Sequence, residues 1–256
     1  MKNLAYLASL VALVLATSEV RAGPILWVDD ANGNIGKVDV ATGDVTLVGN
    51  AGVVLTDIAF DPAGNLYGIS FTTFYRVNMN TGLATAIGSL GLNTANALVF
   101  SSAGVAYTMG NSGGGLYTID LNTGAASLIG DVGFASAGDL AFHGGDLYLS
   151  STSNELVRVG LGPVSGTPVG PFSPSNVFGL ANGDDDVLYA VAGTSVYSVD
   201  PNTGASVLAA NYGGQGLGQA FGEAFFFEAV AVPEPGGLVL LATGVGLAAL
   251  KLRRRA

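Results

Sequence analysis

The chain has 256 residues, no cysteine, 39 glycines and a formal net charge of −10. Without cysteine no disulfide or thiolate metal site can hold the fold. Between Gly23 and Val232 seventeen acidic side chains face only Lys37, Arg76 and Arg158, which excludes the clustered cations that a nucleic-acid partner requires.

The chain opens with Met1-Lys2, an apolar segment from Leu4 to Ala16 and a polar stretch ending Val20-Arg21-Ala22. Lys2 supplies a positive n-region, the apolar core is short for a bilayer span, and Val20 with Ala22 fits the small-residue cleavage rule. Residues 1–22 are expected to be a secretory signal peptide, with a mature start near Gly23. An N-terminal anchor helix is the alternative.

From Gly23 to residue 230 the chain repeats itself. An aromatic residue stands in a short apolar run at Trp27, Tyr67, Tyr107, Tyr148 and Tyr189, with steps of 40, 40, 41 and 41 residues. A second marker, a glycine after a later run, falls at Gly43, Gly82, Gly124, Gly166 and Gly204. Within the second copy, Leu66 to Ser70, Phe74 to Asn78 and Thr85 to Gly88 read as strands joined by hairpins. One more apolar run precedes each aromatic, as in Thr56 to Asn65 and Ala95 to Gly104. Four strands every forty-odd residues with no helical stretch between them predict an all-β chain, a propeller of about five four-stranded blades. The first copy lacks its upstream strand, and Leu217 to Ala229 forms an orphan apolar run after the fifth. This run is expected to complete the first blade, closing the ring with both chain ends and leaving no long unpaired edge. Asp39, Asn78, Asp120 and Asp200 recur just before turn glycines and are expected to form Asx turns.

From residue 231 the character changes to Val232-Pro233-Glu234-Pro235, an uncharged stretch from Gly236 to Leu250, then Lys251, Arg253, Arg254 and Arg255. Fifteen helical residues reach roughly 22 Å against a hydrocarbon core of roughly 30 Å, so a transmembrane helix here relies on Leu252 and on snorkelling basic side chains. The basic cluster would stay cytoplasmic and place the body on the outer side of the inner membrane. This tail resembles the PEP-CTERM sorting signal of Gram-negative bacteria. The resemblance implies that Val232 to Pro235 is the sorting motif, that Lys251 and Arg253 to Arg255 are the membrane stop, and that an exosortase processes the protein and passes it to the cell surface or extracellular matrix. A permanent C-terminal anchor is the alternative. The DPAGNLYGI run from Asp61 to Ile69 resembles NHL-like, WD-like and gluconolactonase-like propeller repeats, which bears on fold.

Chemistry is sparse. His143, the one histidine, is expected in a solvated turn, and neither Asp184 to Asp186 nor Asp29 and Asp30 has EF-hand spacing. A polar series, Asp57, Asn96, Asp139, Asn176 and Gln219, lies at the start of each upstream strand. Innermost strands would turn it into a ring at one channel mouth, or the residues cap strand ends. In the ring reading, Asp57 and Asp139 share a calcium ion with Asn96 and Asn176. Two function classes follow: a non-enzymatic binding or structural module, lectin-like or facing polysaccharide or surface proteins of a biofilm, and a metal-dependent hydrolase or lactonase-like enzyme.

Overall fold

The computed structural model describes residues 23–229. The expected signal peptide, the motif Val232 to Pro235, the transmembrane helix and the basic end Lys251 to Arg255 lie outside the described residues. Among the described residues no helix is long and apolar enough to cross a membrane.

Twenty strands form five antiparallel four-stranded sheets. The second blade holds β4 (Asp57–Phe60), β5 (Leu66–Ile69), β6 (Thr73–Val77) and β7 (Ala84–Ser89). The third holds β8 (Ala95–Phe100), β9 (Ala106–Gly110), β10 (Gly115–Ile119) and β11 (Ala126–Asp131). The fourth holds β12 (Ser136–His143), β13 (Asp146–Ser151), β14 (Glu155–Leu161) and β15 (Val164–Pro171). The fifth holds β16 (Val177–Asn182), β17 (Leu188–Ala192), β18 (Ser195–Val199) and β19 (Ser206–Asn211). The first blade is made from both ends of the body. β1 (Ile25–Asp30), β2 (Asn34–Asp39) and β3 (Val45–Asn50) are completed by β20 (Ala220–Phe225), giving the order β20-β1-β2-β3. Leu26 pairs with Phe225 and Val28 with Glu223, so the orphan run supplies the missing strand. β4, β8, β12, β16 and β20 touch in turn around the axis, and the described residues form an all-β, five-bladed propeller.

Packing explains why the repeat needs closure. The core divides into five apolar clusters, each filling the gap between two neighbouring blades. Leu26, Val28 and Val38 of the first blade meet Tyr189, Val191 and Val196 of the fifth, and Ile69 and Phe74 of the second meet Leu98 and Phe100 of the third. Fully burying one such side chain contributes about 1.5–3 kcal/mol, and an open ring would expose two of these faces to water. The repeated aromatic sits on the second strand of each blade. All three basic residues of the body stand directly across from one: Lys37 opposite Trp27, Arg76 opposite Tyr67 and Arg158 opposite Tyr148. Lys37 Nζ lies 4.4 Å from the centre of the Trp27 ring, a cation–π arrangement. Arg76 Nη1 donates to the Tyr67 hydroxyl at 2.8 Å.

The outer glycines have a shared purpose. Gly49, Gly88, Gly130 and Gly170 occupy one register on the outer strands, each beside a bulge, and Ala210 takes that place in the fifth blade. A Cβ on Gly88 would lie 1.9 Å from the Thr123 carbonyl oxygen, and one on Gly170 would lie 2.1 Å from that of Thr203. At Gly49, Gly88 and Gly170 the Asn-Thr-Gly hairpin of the next blade therefore docks backbone to backbone on its neighbour, whereas Gly130 makes room for the Val164 side chain. The expected Asx turns shape those hairpins: Asp39, Asn78, Asp120 and Asp200 accept the N–H two residues on at 2.8–2.9 Å. Gly43, Gly82, Gly124 and Gly204 take positive φ there, a conformation that Gly adopts without steric cost. Gly166 breaks the series. It lies inside β15, because the fourth blade turns earlier, between Leu161 and Val164.

Gly88→Ala should thus force the third blade's hairpin away from the second. We expect a loss of about 1–3 kcal/mol, the scale of overpacking, read as a lower urea midpoint with unchanged slope; an unaltered midpoint would contradict hairpin docking as a source of stability.

Candidate functional site

The axis is lined by the inner edges of β4, β8, β12, β16 and β20. Register places Ile58, Leu98, Leu140, Leu180 and Glu223 at equivalent points, opposite Gly68, Thr108, Leu149, Ala190 and Val28. On an innermost strand one edge has no further strand to pair with, so these N–H groups need other acceptors. Two aspartates serve four of them. Asp57 Oδ1 accepts from the Ile58 N–H at 2.7 Å, and Oδ2 accepts from the Leu98 N–H of the next blade. Asp139 repeats the arrangement one pair further on, accepting from Leu140 at 2.6 Å and Leu180 at 2.9 Å. Each carboxyl stitches two blades together at the axis.

The five-membered polar ring does not form. At the register of Asp57 and Asp139 the other three inner strands carry Ala97, Gly179 and Gly222. Bulges before Ala97 and Gly179 displace the polar residues that the spacing aligned with Asp57. Asn96 is buried and donates Nδ2 to the Ser136 carbonyl of the next blade at 3.2 Å; Thr56 likewise donates to Ala95 O at 2.9 Å. Asn176 and Gln219 are exposed at the ends of β16 and β20. The calcium arrangement of Asp57, Asp139, Asn96 and Asn176 is therefore not assembled, and among the described residues no three His, Asp or Glu side chains converge as metal ligands.

The structure brings two unanticipated acids to the axis. Asp29 and Glu223 join Asp57 and Asp139 at 0–1 % exposure. The two glycines make room for them. Glu223 Oε2 lies 1.2 Å from where a Cβ on Gly179 would stand, and a Cβ on Gly222 would meet Asp57 Oδ1 at 2.2 Å and Asp29 Oδ1 at 2.8 Å. Both oxygens of Asp29 and of Glu223, with Asn96 Oδ1 and Ser136 Oγ, are buried without a hydrogen-bond partner; Asp29 lies near the Gly222 N–H without the geometry to accept from it. A signal existed in the repeats. Aligned on the aromatic, Asp29 stands where the other blades have Ile69, Met109, Ser150 and Val191, and Glu223 stands where they have Ile58, Leu98, Leu140 and Leu180.

Burial pushes all four carboxyls well above the usual range. Neighbouring charges push the same way: Asp57 on Asp139, Asp139 on Glu223, Asp29 on Asp57, and the turn acid Asp30 on Asp29. After burial, the neighbouring Asp57 is the main influence raising Asp139. Ala97, the residue of the intervening blade at this level, is too small to hold them apart.

One mouth of the channel is crossed by the turn from Phe226 to Ala229. Phe226 packs edge-on against Phe60 at 5.2 Å, Glu228 Oε1 accepts from the Asn182 N–H at 3.3 Å, and Ala229 joins the cluster of Tyr67 and Phe100. Burial pushes Glu228 up to about 8. His143 sits at the same mouth, half-buried rather than solvated, its Nδ1 2.7 Å from Asn182 Oδ1. Asp30 holds its own turn, accepting from Asn32, Asn34 and Gly218, each at 2.8 Å. Asp61 holds the matching turn in the second blade. Asp185 accepts from the Tyr189 hydroxyl at 2.8 Å. At the surface, a cleft of about 270 Å³ between the fourth and fifth blades is lined by Tyr148, Arg158, Asp146, Pro201 and Asn202 among others.

No family model matches the chain, and no curated protein matches it. Solved structures with the same fold include one from a nidogen/laminin complex, 12% identical, covering 79% of this chain and 98% of that one with a TM-score of 0.55. A structural-genomics target assigned provisionally to the gluconolactonases is 17% identical, covering 80% and 83%, with a TM-score of 0.52. A symmetrical protein studied for its de novo evolutionary emergence is 20% identical, covering 76% and 96%, with a TM-score of 0.51. At these identities the likeness is one of fold.

The stitching by Asp57 predicts an order of effects. Asp57→Ala leaves two buried donors unpaired, at about 1–3 kcal/mol each, whereas Asn96→Ala leaves one carbonyl. Urea unfolding should show the larger loss for Asp57→Ala; equal losses would contradict the bridging role.

Proposed function

We propose that the chain is an exported cell-surface or matrix protein of a Gram-negative bacterium, in which the propeller is a binding or structural module and the tail is a sorting address read by an exosortase. The observation that carries this reading is the order of elements in the tail: paired prolines at Pro233 and Pro235, a short uncharged run from Gly236 to Leu250, and a basic stop at Lys251 and Arg253 to Arg255. Prolines at these positions disfavour helix, which suits a segment that a processing enzyme reads in extended form, and a basic stop would orient the body outward. The leading apolar segment with Lys2 before it supplies the export signal that such a tail presupposes.

The body supports a module rather than an enzyme. Its most unusual side chains are sealed at the axis, and two of the four acids are committed to backbone N–H groups of neighbouring blades. A hydrolase reading would need substrate to reach those acids, and the fold-level likeness to a gluconolactonase assignment does not supply that chemistry. The interblade cleft beside Tyr148 and Arg158 offers an aromatic edge and a half-exposed guanidinium, groups suited to a hydroxylated and anionic polymer such as a surface polysaccharide. The inner membrane is then a transient station and an exosortase a processing partner.

Replacing Pro233, Glu234 and Pro235 with alanine should leave export intact and retain the protein in the inner-membrane fraction, several-fold enriched over the parent. Cell fractionation decides. A triple variant that reaches the outer surface or medium as efficiently as the parent would contradict a motif-directed release.

A further inference from the structure

We propose that the axis of the ring is held shut by protons retained among Asp29, Asp57, Asp139 and Glu223, which makes the propeller tolerant of acid and opened by alkali. The geometry carries this. Four carboxyls from four strands of three blades stand at 0–1 % exposure, and an isolated ionised carboxylate in such a place is too costly to persist. Among the described residues nothing of opposite charge reaches them. On β1 the titratable groups are Asp29 and Asp30, on β20 Glu223, in the turn after it Glu228, on β4 Asp57 and on β12 Asp139. β8 and β16 present Ala97, Leu98, Gly179 and Leu180. Tyr212, buried nearby and raised by burial and by the charges of Glu223 and Asp29, donates its hydroxyl to Gly193 O at 3.2 Å. His143 is held at the mouth by Asn182. Lys37, Arg76 and Arg158 sit on third strands, engaged with Trp27, Tyr67 and Asp146 respectively.

With no cation beside them among the described residues, the acids keep their protons. Asp57 and Asp139 share one: the carboxyl that keeps its proton donates it to the other, which stays ionised and accepts the backbone N–H groups of two blades. Asp29 and Glu223, whose oxygens accept nothing, stay neutral as whole acids. Removing these protons would set like charges against each other at the point where the second to fifth blades are stitched, and the ring would loosen from its axis.

The linkage has a definite sign. A carboxyl whose folded affinity for its proton exceeds its unfolded affinity contributes stability that is complete below the unfolded range, about pH 4, and is lost as pH rises through the folded value. Asp30, held low by the N–H groups of Gly218 and Asn34 against its own burial, acts oppositely and loses its contribution only in strong acid.

The test is calorimetry of the full chain from pH 5 to pH 9, at pH 7 in two buffers of different ionisation enthalpy, with chelator and then with calcium or magnesium. We expect Tm at pH 9 to lie at least about 5 °C below that at pH 5, unfolding at pH 7 to release two or more protons, on the order of those held by the four acids, and chelator to change nothing. Glu223→Gln, neutral at every pH, should flatten the decline. A Tm that holds or rises toward pH 9, or unfolding without proton release, overturns the proposal. So does a Tm raised by calcium or magnesium and lowered by chelator at pH 8, which would assign the axis to a cation. The proton-release measurement needs no variant, so a Glu223→Gln chain that fails to fold leaves the test intact.

Discussion

The pairing of β20 with β1 is the interaction on which the rest of the structure depends. Each blade buries its apolar faces only against its neighbours, so five blades in a row would leave two faces wet and two sheet edges open. Taking one strand of the first blade from the far end of the body converts the row into a ring. The seam needs its own fittings, because the repeat is broken there. Ala210 replaces the docking glycine, and Gln215 reaches back to the first blade, donating Nε2 to Gly43 O at 2.8 Å and accepting from the Val45 N–H at 3.2 Å.

Once closed, the ring faces opposite problems at its rim and its axis. At the rim, neighbouring blades meet through hairpin backbones, and glycine on the receiving strand lets them touch. At the axis, five strand edges converge with N–H groups that no strand can pair. Asp57 and Asp139 answer for four of these groups, one on each aspartate's own strand and one on the next blade. The same acids, crowded with Asp29 and Glu223, turn the centre of the molecule into its most electrostatically constrained region, while the turn from Phe226 to Ala229 crosses one mouth.

The repeat made the fold legible. Aromatics at a steady period gave the blade count, and the first copy's missing strand with the orphan run at Leu217 to Ala229 gave the closure. The Asx turns were readable because a polar residue and a glycine kept their spacing across four blades. The site was less readable. Asp57 and Asp139 stood out as polar residues at strand starts, but Asn96, Asn176 and Gln219 were matched to them by counting along the chain, and bulges of one or two residues carry such matches out of register. Asp29 reads as a turn acid beside Asp30, and Glu223 is one acid within an apolar run; only pairing of the blades shows that Glu223 stands at an aliphatic position and Asp29 at a mostly apolar one. Gly166 misled for the same reason: spacing made it a turn residue, while an earlier hairpin placed it in β15.

Amide hydrogen exchange tests the central claim of closure most directly. If β20 completes the ring, the amides that pair β20 with β1, from Leu26 to Asp29 and from Gly222 to Phe225, exchange only through global unfolding, with the same free energy as those pairing β8 with β9 in the third blade. Exchange of the β20 amides through a local opening of distinctly lower free energy, while the third blade stays protected, would contradict a ring held shut by its two ends.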